Sequence, residues 1–169
     1  QEAPTSKSVR FKWREHVTKT VSENGEALEK FCNALKDGDS KVVEQSLNNY
    51  LKRTISIRDT FVKKQMKENF YYGILLGILG FQQNWSVSSN KESGDGYSDI
   101  LIETEDQETG IIIEIKYAET GNLEAVSEEA LKQIEDRRYE EQLLEEGVEH
   151  ILKYGIAFYK KKCKVMAVK

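Results

Sequence analysis

The chain has 169 residues and a formal net charge of -4, with 25 lysines and arginines against 29 aspartates and glutamates. That length suits one domain with a real core, and the acidic balance excludes holding nucleic acid through an overall positive field, because phosphate affinity comes mainly from lysine and arginine. Hydrophobic residues make up 38% and charged ones 32%, and no apolar run is long enough to span a bilayer, which excludes membrane insertion.

The chain begins Gln-Glu-Ala-Pro with no charged-then-apolar secretory pattern behind it, and reads as a piece of a longer protein. Residues 1–22 carry no periodicity and are expected to be a tail or an incomplete element. From Glu26 the spacing of Leu28, Phe31 and Leu35 predicts a helix that stops at Asp37-Gly38-Asp39. Ser40 is the expected cap of a second helix, striped by Val43, Leu47, Tyr50 and Leu51 and running to about Arg53. The two should pair as a hairpin. A third helix is expected from Asp59 or Thr60 through Gly80, its second half apolar almost all round and therefore buried. Gly73 and Gly77 on one face of it suggest close packing, and Phe70, Tyr71 and Tyr72 read as core.

Strands are expected near Trp85 to Ser89, from Tyr97 to Glu103 and from Ile111 to Tyr117, joined by turns at Gly94-Asp95-Gly96 and Asp106 to Gly110 as an antiparallel meander. Helical spacing returns from Leu123 through Ala130, Leu131, Ile134 and Tyr139, with Gln133 among them. Two further strands, Tyr154 to Tyr159 and Cys163 to Val168, close the chain across a lysine run. Three helices, three strands, a helical region and two strands describe an α/β (α+β) protein. The boundaries divide into the tail, a helical extension at 23–57 packed on the core, and the core itself at 58–169.

The chemistry concentrates between Asp99 and Lys116. Alternation along a strand puts Ile112, Glu114 and Lys116 on one side and Ile111, Ile113 and Ile115 on the other. Asp99 and Glu114 about 5 Å apart would repel by about 3 kcal/mol at an effective dielectric of about 20, before desolvation is added. A divalent cation between them removes that conflict, and oxygen ligands suit Mg²⁺ or Mn²⁺ better than zinc. Cys32 and Cys163 make no zinc spacing and are expected to be reduced thiols of a cytoplasmic protein. His16 and His150 are isolated and receive no role. The acidic run Glu140, Glu141, Glu145 and Glu146 reads as a solvated helix face.

Glu68-Asn69-Phe70-Tyr71-Tyr72-Gly73, the segment Ser89 to Gly96, Ser98-Asp99, Glu114-Ile115-Lys116, Gln133 and Tyr154-Gly155-Ile156-Ala157-Phe158 together resemble the PD-(D/E)XK nuclease superfamily. More narrowly, they are similar to the nuclease-like domain at the C-terminus of predicted bacterial AAA-type ATPases. The likeness covers roughly residues 33–169. It implies a restriction-endonuclease-like core, a central mixed β-sheet flanked by helices, here preceded by the helical hairpin. It also implies roles: Asp99 and Glu114 as metal ligands with the Ile115 carbonyl, and Lys116 as the lysine that positions water or stabilises charge. Glu68 matches the acid of the first core helix, Gln133 the polar residue of the helix after the third strand, and Tyr139 an additional contributor. Ser98 stands where the superfamily name has proline, and Tyr97 where close relatives often carry arginine. No Walker-type glycine-rich loop is present.

The resemblance implies a Mg²⁺- or Mn²⁺-dependent nuclease acting on DNA rather than RNA, linked to an ATPase domain or partner protein, with a homodimer as one form. A nuclease fold used as a non-catalytic module for binding nucleic acid or protein is the alternative, since fold does not fix function. Candidate cationic contacts are Lys153, Lys160, Lys161, Lys162 and Lys164, with Lys12, Arg14 and Lys19 as a second cluster. Their ordinary reading is solvated surface.

Overall fold

A computed structural model describes residues 25–54, 64–92, 96–136 and 139–169. The tail at 1–22, the predicted start of the third helix at Asp59 or Thr60, the turn residues Gly94 and Asp95, His16 and the cluster Lys12, Arg14 and Lys19 lie outside the described residues.

Helices α1 (Gly25–Asp37), α2 (Ser40–Thr54) and α3 (Lys64–Leu79) precede strands β1 (Ser86–Glu92), β2 (Gly96–Glu103) and β3 (Thr109–Tyr117). Helices α4 (Leu123–Asp136) and α5 (Tyr139–Glu145) then lead to β4 (His150–Tyr159) and β5 (Lys162–Val168). The element order is the one read from the sequence. Differences are local. Asp39, not Ser40, caps α2, its carboxylate accepting the Val42 N–H at 3.1 Å. β4 begins at His150, four residues before the expected Tyr154, because Ile151 and Leu152 also find apolar partners on opposite faces of the sheet.

The sheet is mixed, in spatial order β1-β2-β3-β4-β5. β1, β2 and β3 form the expected antiparallel meander, β3 and β4 run parallel, and β5 returns antiparallel to β4. The parallel step needs a crossover, which α4 and α5 supply. β3 is central and buried almost throughout, as a strand covered on both faces must be. One face carries Ile100, Ile111, Ile113, Tyr154 and Phe158 against Phe31, Leu35, Leu47 and Leu75 of the first three helices. The other carries Ile112, packed with Ile134, Leu143 and Val148.

Two close contacts fix the helices on the sheet. At Gly155 a Cβ would collide with the Ser127 carbonyl oxygen and sit 2.8 Å from the Leu131 nitrogen. Glycine is therefore what lets α4 lie flat on β4, and the Ser127 hydroxyl donates to the Gly155 carbonyl at 2.7 Å. On the outer strand, Asn48 of α2 pairs with the backbone of Cys163 in both directions, at 2.8 and 3.2 Å, and Glu44 accepts the Val165 N–H at 2.9 Å. The helix thus satisfies backbone groups that an edge strand would otherwise offer to another chain.

Gly73 corrects an expectation: it is exposed and a Cβ there would meet nothing within 4 Å, so it makes no close packing. Tyr71 and Tyr72 are core as expected, and Phe70 packs on the core while half-buried. Cys32 and Cys163 are free and buried, and burial pushes the Cys32 thiol up to about 11. Among the described residues no helix is long and apolar enough to cross a membrane.

Candidate active site

Asp99 and Glu114 are direct cross-strand partners in the β2–β3 ladder. Direct partners project to the same face, so the two carboxylates are neighbours. Both side chains are out of water, at 0% and 1% exposure. Two acids buried side by side in a sheet form a conflict that apolar packing alone does not create, and the nearest preceding side chain of β3 on their face is the buried Ile112.

Their face is the one covered by α4 and α5. Tyr139, the first residue of α5, donates its hydroxyl to Asp99 Oδ2 at 2.6 Å. Lys116, two residues beyond Glu114 on the same face, lies 3.4 Å from a carboxylate oxygen of Glu129 on α4. Gln133 follows Glu129 by one helical turn, which puts both on one stripe of α4, and it is half-buried.

Glu68 arrives from the opposite layer. It sits on α3, and its Oε1 accepts the backbone N–H of Tyr117 at 3.1 Å. The register between β2 and β3 runs only as far as Asp99 with Glu114, so Tyr117 lies beyond the end of that ladder. Backbone groups of residues two apart point to the same edge of a strand, which turns the Ile115 carbonyl toward the edge where Glu68 takes the Tyr117 N–H. Asp99, Glu114 and Lys116 thus share one face of the sheet, while Glu68 reaches the backbone of β3 at Tyr117, three residues past Glu114.

Two carboxylates and a carbonyl form a set of hard oxygen donors, which matches a cation of the Mg²⁺ or Mn²⁺ class and not a thiophilic metal. Among the described residues no group of three or more His, Cys, Asp or Glu side chains is gathered for a metal.

Some expectations need correction. Lys153 does not belong with Lys160 to Lys162: it pairs with Glu140 at 2.6 Å, and in the β4–β5 register it lies opposite Val168, at the other end of the hairpin. The same pair shows that Glu140 is not merely solvated. Lys164 is held near Glu44 at 3.5 Å. Glu129 escaped the sequence reading. Its signal was present, because it precedes Gln133 by four residues with buried Ala130 between them, but its pairing needs the placement of α4 over β3.

A family model described as the PD-(D/E)XK nuclease superfamily matches residues 66–168. That span contains both site strands, Glu68 with all but the first two residues of its helix, α4 and α5. A comparison with curated proteins finds no match.

Proposed function

The chain belongs to the PD-(D/E)XK nuclease superfamily, and from that premise we propose that it is a metal-dependent nuclease hydrolysing phosphodiester bonds of DNA or RNA. The observation that carries the reading is the buried cross-strand pair Asp99 and Glu114, with Lys116 on the same face. A protein that only bound a partner would gain nothing from burying two repelling acids.

In this proposal Asp99, Glu114 and the Ile115 carbonyl hold Mg²⁺ or Mn²⁺, which when bound would polarise the phosphate and acidify a water molecule. Tyr139 orients Asp99 through its hydrogen bond to Oδ2. Lys116 supplies positive charge to the phosphoryl oxygens as negative charge grows on them, and Glu129 keeps its ammonium directed along the α4 side until phosphate arrives. Glu68 is the acid at the exit of β3, and Gln133 is a polar contact from α4 to water or substrate. An ATPase domain or partner, DNA as the substrate and a cytoplasmic setting belong to the same proposal on the sequence likeness alone.

The test is calorimetric titration of Mg²⁺ and Mn²⁺ into the wild type, Asp99→Ala and Glu114→Ala, with cleavage of DNA and RNA followed in the same samples. Metal binding and cleavage in the wild type, both lost in each variant, is the expected result. A folded wild type that binds no metal overturns the metal site. Tight metal binding without cleavage of any polynucleotide would favour the non-catalytic module.

A further inference from the structure

The end of the sheet beyond Lys116 carries a second feature. β3 and β4 run parallel with Tyr117 opposite Phe158, so the two-residue turn Lys160-Lys161 between β4 and β5 lies past the same end of the sheet as Lys116. The ammonium of Lys67, next to Glu68 on α3, sits over the Tyr117 ring at 4.5 Å. The Tyr117 and Tyr159 rings are 6.0 Å apart, and Lys160 lies over Tyr159 at 5.1 Å. Cations and rings thus form one continuous ridge from α3 to the hairpin turn.

Lys36, Lys116, Lys153 and Lys164 each lie within ion-pair distance of a carboxylate. Among the described residues none pairs with Lys67, Lys160, Lys161 or Lys162, although Glu119 is exposed in the loop that follows β3. In a chain of net charge -4, a positive ridge left unneutralised beside a phosphodiester-cleaving site is a local field of the sign a polynucleotide needs.

The turn also holds its lysine against conformational preference. Lys160 has φ 52, and Tyr71 donates its hydroxyl to the Lys160 carbonyl at 2.6 Å, fixing the turn. In a two-residue hairpin with positive φ at the first loop position, glycine is the residue that fits without strain. A lysine there costs stability and places a charge at the tip, the pattern expected where function sets the residue.

We propose that Lys67, Lys160, Lys161 and Lys162, on the α3 side of that end of the sheet, form a sequence-independent track for the phosphate backbone of the polynucleotide, which passes around the end of β3 to reach Glu114 on the other face. This rests on the nuclease reading for its ligand. The experiment measures binding of a labelled mixed-sequence oligonucleotide, as single-stranded DNA, duplex DNA and RNA, in Ca²⁺ over a salt series, with cleavage in Mn²⁺ measured separately. It compares the wild type, Lys160→Gly, the joint Lys67→Gln, Lys160→Gln, Lys161→Gln and Lys162→Gln variant, and a control with Lys30, Lys41, Lys132 and Lys169 changed to Gln.

The joint variant should lose about tenfold or more in affinity, and its slope of log affinity against log salt should fall by about three to four. The control should keep both. Lys160→Gly should melt higher yet lose about one unit of slope, which loss of folding cannot mimic. An unchanged slope in the joint variant, an equal loss in the control, or no binding of any form by the wild type overturns the track. Track-dependent binding without cleavage supports the track and sinks the nuclease reading, whereas cleavage with an unchanged slope does the reverse. The form held most tightly identifies the polynucleotide.

Discussion

Glu114 is buried against Asp99, and two carboxylates at about 5 Å would repel by about 3 kcal/mol. Glu114→Gln removes one charge while keeping shape, so without metal its melting temperature should match or exceed that of the wild type. At a metal concentration about ten times the dissociation constant, the wild type should gain about 1.4 kcal/mol and the variant nothing. Differential scanning calorimetry with and without Mn²⁺ reads both, and equal metal-linked stabilisation in the two proteins would remove Glu114 from the ligand set. Gly73 offers a plainer test. It lies inside α3, exposed, with open space where a Cβ would go. Gly73→Ala should stabilise by roughly 0.5–1 kcal/mol in urea unfolding, because alanine loses less backbone freedom. A loss instead would mean that a side chain at this position disturbs α3 itself.

At the scale of elements, the placement of α4 decides the site, because Glu129 and Gln133 ride on it while Gly155 sets its distance from β4. Gly155→Ala forces the helix outward, since the obstruction is backbone and not the end of a flexible side chain. The expected cost is about 1–3 kcal/mol, seen as a lower urea midpoint. Ser127→Ala, which loses only the hydrogen bond to Gly155, should cost about 1 kcal/mol. The opposite end of the sheet is tied by Lys36 of α1, which lies 2.7 Å from Glu105 and 3.0 Å from Asp106 in the β2–β3 turn. Hydrogen bonds from the Thr104 hydroxyl, Lys36 and the Glu108 N–H hold the Asp106 carboxyl well below the usual carboxylate range. A depressed carboxylate contributes stability that is present above its unfolded pKa of about 3.8 and lost as pH falls through the folded value. Asp106→Asn should therefore flatten the acid limb of the stability profile below about pH 4, leaving neutral pH as the reference.

The whole molecule shows which relations a sequence carries. Element order, the strand alternation that aligns Glu114 with Lys116, and the facing of Asp99 follow from periodicity, because each depends on residues near one another in the chain. Asn48 on Cys163, Ser127 on Gly155 and Glu129 on Lys116 depend on how a helix lies over a distant strand, and no local pattern states that. Tyr139 was legible only through the family likeness, since its contact with Asp99 spans 40 positions.

The same long-range packing bears on where the folding unit begins. The family match starts at residue 66, yet Phe31, Leu35, Leu47 and Leu51 are fully or nearly fully buried in the same cluster as Ile100 and Tyr154. The Tyr154 hydroxyl donates to the Leu35 carbonyl at 2.6 Å, so α1 also satisfies a buried polar group of the central sheet. Four such side chains bury about 2 kcal/mol each, or roughly 8 kcal/mol together, against a net stability of about 5–15 kcal/mol for a typical domain. We therefore propose that α1 and α2 belong to the folding unit. A chain starting at residue 58 should lack a cooperative unfolding transition by circular dichroism and bind a hydrophobic dye. A truncated chain that melts cooperatively would show that the sheet stands without its first two helices. Peptide 25–54 added in trans should restore the transition, a result that simple aggregation of the truncated chain would not give.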